Sequence, residues 1–160
     1  MKKLKIYLDT SVISHLKADD VPEKMESTRK MWAEMVDGVY EVFISRLVIA
    51  EIDDCPEPKR TELFQFLSML KYTEILIDEE AYQLAQEYIQ HGIIPAKYED
   101  DALHIAAASV NGCNVVVSWN FKHMVRAKTI FGVNGINKML GYGELEILSP
   151  DSMVDEEEDD

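Results

Sequence analysis

Bases are scarce in this chain. It has 16 lysines and arginines against 30 acidic residues, a formal net charge of −14 over 160 residues. Phosphate binding is driven by Lys and Arg, so this balance weighs against any nucleic-acid reading. Half of the excess is local, because 151–160 holds seven acids and no base. Such a run reads as a solvated, disordered tail behind a domain at 1–150. Cysteines are also few. Cys55 and Cys113 lie far apart without metal-ligand spacing, which leaves two free thiols in a reducing cytoplasm. No apolar run is long enough to span a bilayer, so no membrane association is expected. The N-terminus, Met1 to Ile6, lacks a long apolar stretch and a small-residue cleavage site, and is not a signal peptide. No internal repeat or second domain is visible, and the length suits one domain with a sizeable core.

The apolar pattern alternates between two periods. Strands are expected at 5–8, 42–44, 74–77, 115–118 and 146–148, where short apolar or β-branched runs occur. Helices are expected at 10–17, 23–36, 46–53, 61–70, 79–89 and 98–110. Ser45 is placed to cap the third of these, and Pro56 and Pro58 end it. The segment 121–131 is expected to be partly helical. Strands alternating with helices indicate an α/β sandwich on a parallel sheet.

That architecture has a chemical consequence. In open α/β sheets, ligands bind outside the carboxyl ends of the strands. Asp9 follows the first strand and Asn120 follows the 115–118 strand. Glu51 lies about two turns into the helix after the second strand, within reach of the same edge. Asp101 lies in the first turn of the Ala-rich helix that feeds the 115–118 strand. Three carboxylates and an amide carbonyl at one edge suit a hard cation, Mg²⁺ or Mn²⁺, and suggest phosphodiester chemistry. Two other α/β chemistries lack their residues. A haloacid-dehalogenase-type phosphatase needs a second Asp where Ser11 stands, and a dinucleotide site needs glycine in 10–16, where none occurs.

Four motifs, in order, carry a family resemblance. They are Tyr7-Leu8-Asp9-Thr10-Ser11-Val12-Ile13, Val48-Ile49-Ala50-Glu51-Ile52, Asp101-Ala102-Leu103-His104-Ile105-Ala106-Ala107-Ala108 and Ser118-Trp119-Asn120-Phe121. Over about 4–150 the chain resembles the PIN domains, in particular the VapC-like group of metal-dependent ribonuclease toxins. The resemblance implies a three-layer α/β/α sandwich with a central parallel sheet. It implies metal ligands and catalytic groups at Asp9, Glu51, Asp101 and Asn120, with Thr10, Ser11 and Ser118 as nearby hydroxyls. It also implies an RNA substrate cut by in-line attack of water to leave 5′-phosphate and 3′-hydroxyl ends, an antitoxin protein as partner, and a homodimer. The chain departs from the family at Asn120, where aspartate is common, which implies a weaker second metal site.

Each residue alone admits a plainer role. Asp9 can be an N-cap and Asn120 a turn residue, and Asp101 can favour the helix dipole, although Asp100 suits that role better. Glu51 can be a solvated helix residue. His104, three after Asp101, can support the site, touch RNA or be a structural histidine. Lys122, His123, Arg126 and Lys128 can grip phosphate or form a solvated face, and the acidic tail can fold over them or simply solubilise the chain. Trp32, Phe64 and Phe66 read as core. Four ordered coincidences would be needed for the plain readings to hold together. The rival function is a non-catalytic PIN-like interaction protein, which the negative charge and Asn120 favour.

Overall fold

Short apolar strands covered on both faces make the centre of the molecule. In the computed structural model, which describes residues 2–154, β1 (Lys5–Leu8) contributes Ile6, Tyr7 and Leu8, all 0% exposed. A strand with no solvent face is the signature of a parallel sheet sandwiched between helices. β2 (Glu41–Ser45), β3 (Thr73–Ile75), β4 (Val115–Val117) and β5 (Glu146–Leu148) complete it, every pairing being parallel. The order is β3-β2-β1-β4-β5. Tyr7 is aligned with Phe43 on one side and Val116 on the other.

The helices fall into two sets. α1 (Thr10–Ser14), α3 (Arg46–Asp53) and α4 (Lys59–Ser68) pack on one another, and α2 (Pro22–Val36) packs on α8 (Pro150–Met153). The second set is α5 (Glu79–Gln90), α6 (Glu99–Val110) and α7 (Ala127–Leu140); α5 packs on both others. α6 contacts β2 and β4, which flank β1, so it lies over the middle of the sheet. Its run of alanines from Ala106 to Ala108 is fully buried, since small side chains let a helix lie close to the strands. The expected three-layer α/β/α sandwich is the fold.

Some elements differ from the sequence expectation. Ser45 precedes α3 but makes no side-chain cap; its hydroxyl bonds the buried Tyr7 instead. α1 ends at Ser14, and β3 ends at Ile75. α7 begins at Ala127 and runs to Leu140, well past the expected helical segment, through Gly132 and Gly135. α8 takes in the first residues of the expected tail, and 155–160 lie outside the described residues.

The two α7 glycines make a test. A Cβ at Gly132 would sit 2.7 Å from Ile93 Cγ1, whereas one at Gly135 meets nothing within 4 Å. Gly135→Ala should therefore stabilise by roughly 0.5–1 kcal/mol through helix propensity. Gly132→Ala should destabilise by about 1 kcal/mol, because overpacking against Ile93 outweighs the same gain. Urea midpoints that move the same way for both variants would refute the close packing of α7 on the segment at Ile93.

Both cysteines are free thiols, Cys55 half-buried and Cys113 buried. Burial pushes the Cys113 thiol up to about 12. Only thiolate reacts, so at pH 8 roughly one molecule in 10⁴ is competent at Cys113. A disulfide-exchange reagent should titrate one thiol in the native protein and two after unfolding. Rapid reaction of both in native buffer would contradict the packing around Cys113.

Candidate active site

The strand order creates the crevice. From β1 the chain moves to β2 and β3 on one side, then crosses back to β4 and β5 on the other. The loops leaving β1 and β4 thus diverge at the carboxyl edge, which is where such sheets bind ligands. Asp9 leaves β1, and Ser118 to Asn120 leave β4. Both loops are tied to the same carboxylate.

Asp9 is 4% exposed and caps α1, accepting the Val12 N–H at 3.4 Å. The Ser11 hydroxyl donates to Asp9 Oδ1 at 2.6 Å and accepts the Trp119 N–H at 2.8 Å. The Ser118 hydroxyl donates to Asp9 Oδ2 at 2.5 Å and accepts the Asn120 N–H at 2.9 Å. Each serine thus relays the carboxylate to a backbone donor of the β4 loop. Thr10, the third hydroxyl of the motif, does not join them. The capping role and the crevice position coexist in one residue.

Asp101 sits in the first turn of α6, half-buried, while Asp100 beside it is exposed. Burial lifts the Asp101 carboxyl above its ordinary range, and the charge of Asp9 adds to this; His104, an Asn120 hydrogen bond and His123 oppose it. Asp9 is lifted likewise by burial, against the charge of His104 and the two serine hydroxyls. Among the described residues neither aspartate forms an ion pair with Lys or Arg. Two carboxylates at one crevice, offset by histidine charge and hydrogen bonds but paired with no Lys or Arg among the described residues, leave room for a cation.

Asn120 turns the β4 loop. Its Oδ1 accepts the His123 N–H at 2.9 Å, and its backbone carbonyl accepts from Met124 and Val125. A backbone N–H can only donate, so this fixes the amide orientation and turns its NH₂ to Asp101. His123 stacks on Tyr98 with ring centroids 3.9 Å apart, and its Nε2 is buried without a partner. It therefore belongs to the crevice wall, whereas Lys122, Arg126 and Lys128 are exposed.

His104 is 3% exposed and links elements far apart in sequence. Its Nε2 lies 2.7 Å from Glu51 Oε1, and its Nδ1 lies 2.6 Å from the Tyr7 hydroxyl, which is 2.7 Å from Ser45 Oγ. Burial disfavours imidazolium, but the Glu51 hydrogen bond and the charges of Asp9, Glu51 and Asp101 lift His104 above its ordinary range. Burial likewise pushes Glu51 up, but the hydrogen bond and charge of His104 outweigh it and hold Glu51 below its usual value. Glu51 is 34% exposed, so it faces both the histidine and solvent. Of the plainer readings open for His104, the hydrogen-bonded structural one is realised, and it anchors a predicted site residue. Tyr7 and Ser45 were missed as members of this network. A tyrosine in a fully buried strand was the available signal, since its hydroxyl must find a partner.

Trp119 closes one side. Its indole N–H donates to Thr28 Oγ1 of α2 at 2.8 Å, and its ring lies near His15 and Phe121. The Lys24 ammonium sits 5.5 Å from the Trp119 ring centroid and 5.4 Å from that of the exposed Phe121. Of the aromatics expected as core, Trp32 is 6% exposed and meets Phe66 edge-on, while Phe64 and Phe66 are half-buried against the core.

Among the described residues, no group of three His, Cys, Asp or Glu side chains converges closely enough to hold an ion alone. The donor chemistry fits a cation held by two carboxylates and water, which is how Mg²⁺ is commonly bound. Asp9 and Asp101 are the two carboxylates that could take that part.

Comparison with known proteins bears on the fold. The family model described as PIN domain matches residues 6–123. Curated protein sequences offer no match. Among solved structures, VapBC2 from Rickettsia felis, bound to a DNA fragment from its promoter, superposes with a TM-score of 0.58 at 17% identity, covering 91% of this chain and 98% of that one. VapC20 of Mycobacterium tuberculosis, a toxin that cleaves the sarcin-ricin loop, gives 0.57 at 16% identity, covering 88% and 98%. DNA-bound VapBC from Salmonella typhimurium gives 0.54 at 17% identity, covering 92% and 98%. At these identities the likeness is one of fold.

Proposed function

The chain belongs to the PIN domain family, and on that premise we propose that it is an endoribonuclease dependent on Mg²⁺ or Mn²⁺. The observation that carries this reading is the pair Asp9 and Asp101, both lifted by burial and neither paired with a base. Asp9 and Asp101 would hold the cation directly. When bound, the cation would neutralise the pair, activate water and stabilise the leaving oxyanion of a phosphodiester. Glu51, set by His104, orients the attacking water and takes its proton. Asn120 holds Asp101 through its NH₂ group, a role its engaged carbonyl favours over direct ligation. Ser11 and Ser118 fix the Asp9 carboxylate. The exposed Lys122, Arg126 and Lys128 give phosphate a local positive approach in an otherwise acidic protein.

Further properties follow from the similar structures. One is a toxin that cleaves the sarcin-ricin loop, and two are VapBC assemblies on DNA. Carried to this chain, these support RNA as the substrate, a toxin role, and an antitoxin protein as the partner. A homodimer in the cytoplasm completes the proposal. Among the described residues no helix is long and apolar enough to cross a membrane.

The test is cleavage of a structured RNA by the purified full chain with Mn²⁺, beside an Asp9→Asn control. Metal-free protein should also gain thermal stability on adding Mg²⁺ or Mn²⁺, because a ligand selective for the folded state must raise its midpoint. At 100 times its dissociation constant the ion contributes about 2.7 kcal/mol. An unchanged midpoint together with intact RNA would favour the non-catalytic interaction protein.

A further inference from the structure

The carboxyl edge carries the candidate active site, yet a sizeable groove lies at the opposite, amino edge. It has a volume of about 1040 Å³ and is lined by Lys2, Lys3 and Lys5, which lead into β1, and by Lys71, just before β3. All four lysines are exposed, and among the described residues none forms an ion pair. Asp37 and Glu41 also line the groove, so its cations outnumber its acids by two to one. In a chain of net charge −14, this concentration of cations stands against the general field.

The course of the chain supplies an occupant. α8 packs on α2, whose last residues, Met35 and Val36, line the groove. At the end of α8 the Met153 carbonyl accepts from the Tyr40 hydroxyl at 3.4 Å, and Tyr40 is itself a groove residue. Val154 follows in extended conformation. The next six residues, 155–160, are Asp-Glu-Glu-Glu-Asp-Asp. Six extended residues reach about 20 Å, enough to run along the groove from its rim. The last described residues thus end beside the groove of the amino edge. Lys122–Lys128, which the sequence left open as a place for the tail to fold, follows β4 at the opposite edge.

We propose that the lysine-lined groove at the amino edge is a docking site for this chain's own acidic C-terminal segment, 155–160, bound in cis. The contact is electrostatic: carboxylates meet Lys2, Lys3, Lys5 and Lys71, with Tyr40 at the entrance. It offsets part of the segment's charge and covers the amino ends of the strands. It is independent of the nuclease reading, since it uses no residue of the carboxyl edge.

Backbone amide shifts of the full chain and of a chain ending at Val154 test it. At low salt, truncation should move the amides of Lys3, Gly38, Lys71 and Gly112, and the differences should shrink severalfold at about 0.15 M salt. A free Asp-Glu-Glu-Glu-Asp-Asp peptide added to the truncated chain should move the same amides back. Millimolar peptide would be required, because the tether supplies an effective concentration of that order. Lys2→Glu/Lys3→Glu/Lys71→Glu in the full chain should abolish the truncation effect, and these exposed positions leave the core untouched. Unmoved groove amides on truncation at low salt would overturn the proposal. So would shifts confined to 122–128. Shifts that grow with protein concentration would overturn it in favour of tail exchange between copies.

Discussion

Asp101→Asn lowers Mn²⁺-dependent RNA cleavage at least about 100-fold and leaves the fold intact. The magnitude follows from what the residue is asked to do. Outer partners of metal ligands typically cost 10–100-fold when removed, so a direct ligand costs at least as much. Asparagine keeps the volume and one carbonyl, but it removes the charge that would balance a cation. Asp101 is the cleaner of the two probes because it carries no structural hydroxyl ties, whereas Asp9 organises Ser11, Ser118 and, through them, the β4 loop. Asp9→Asn should show the same loss of activity. For the metal-free protein, Asp101→Asn should hold or raise the thermal midpoint, since it relieves repulsion with Asp9 in a buried crevice. Calcium-free, chelator-treated enzyme assayed with and without Mn²⁺ separates the two effects. Cleavage within threefold of the parent would remove Asp101 from the active site.

The features that sequence made readable were local ones. Asp9 ends a strand, Asn120 follows a strand, and Asp101 opens a helix, so each position relative to the sheet edge follows from its own neighbours. Parallel topology then gathers them without knowledge of any side-chain contact. The helix expected at 79–89 was readable in the same way, and α5 buries Ala81, Leu84, Ala85 and Tyr88 at helical spacing. α7 was only partly readable, because Gly132 and Gly135 lower helix propensity and hide its second half. Gly132 is there for its close approach to Ile93, which no local pattern announces. Ser45 misled for the opposite reason. Its position before a helix suggests a cap, but the buried Tyr7 hydroxyl, 38 residues away, claims it. Propensity describes what a residue prefers among its neighbours, and a buried polar group far along the chain outranks that preference.

The largest expected effect on stability comes from the same long-range network. His104→Ala should cost about 3 kcal/mol, from the lost packing of a buried ring and two broken hydrogen bonds. For a domain of this size that corresponds to a fall in thermal midpoint of roughly 6–12 °C. The Tyr7 hydroxyl would keep Ser45, and Glu51, a third exposed, would turn to water, so neither is left wholly unsatisfied. That relief keeps the cost below the upper end expected for breaking a buried charge pair. Tyr7→Phe should cost less, about 1 kcal/mol, since the ring remains and only the hydroxyl is lost. His104 is a positioning residue, so His104→Ala should lower cleavage by more than it changes affinity for Mn²⁺: its hydrogen bonds hold Glu51 and Tyr7, whereas it acts on Asp9 and Asp101 through charge alone. A double-mutant cycle of His104→Ala with Glu51→Gln measures the link directly. The effects on stability should be non-additive by about 1 kcal/mol or more. Additive effects, or a His104→Ala midpoint within a degree of the parent, would mean that histidine does not hold Glu51 at the crevice, and Glu51 would then need another anchor.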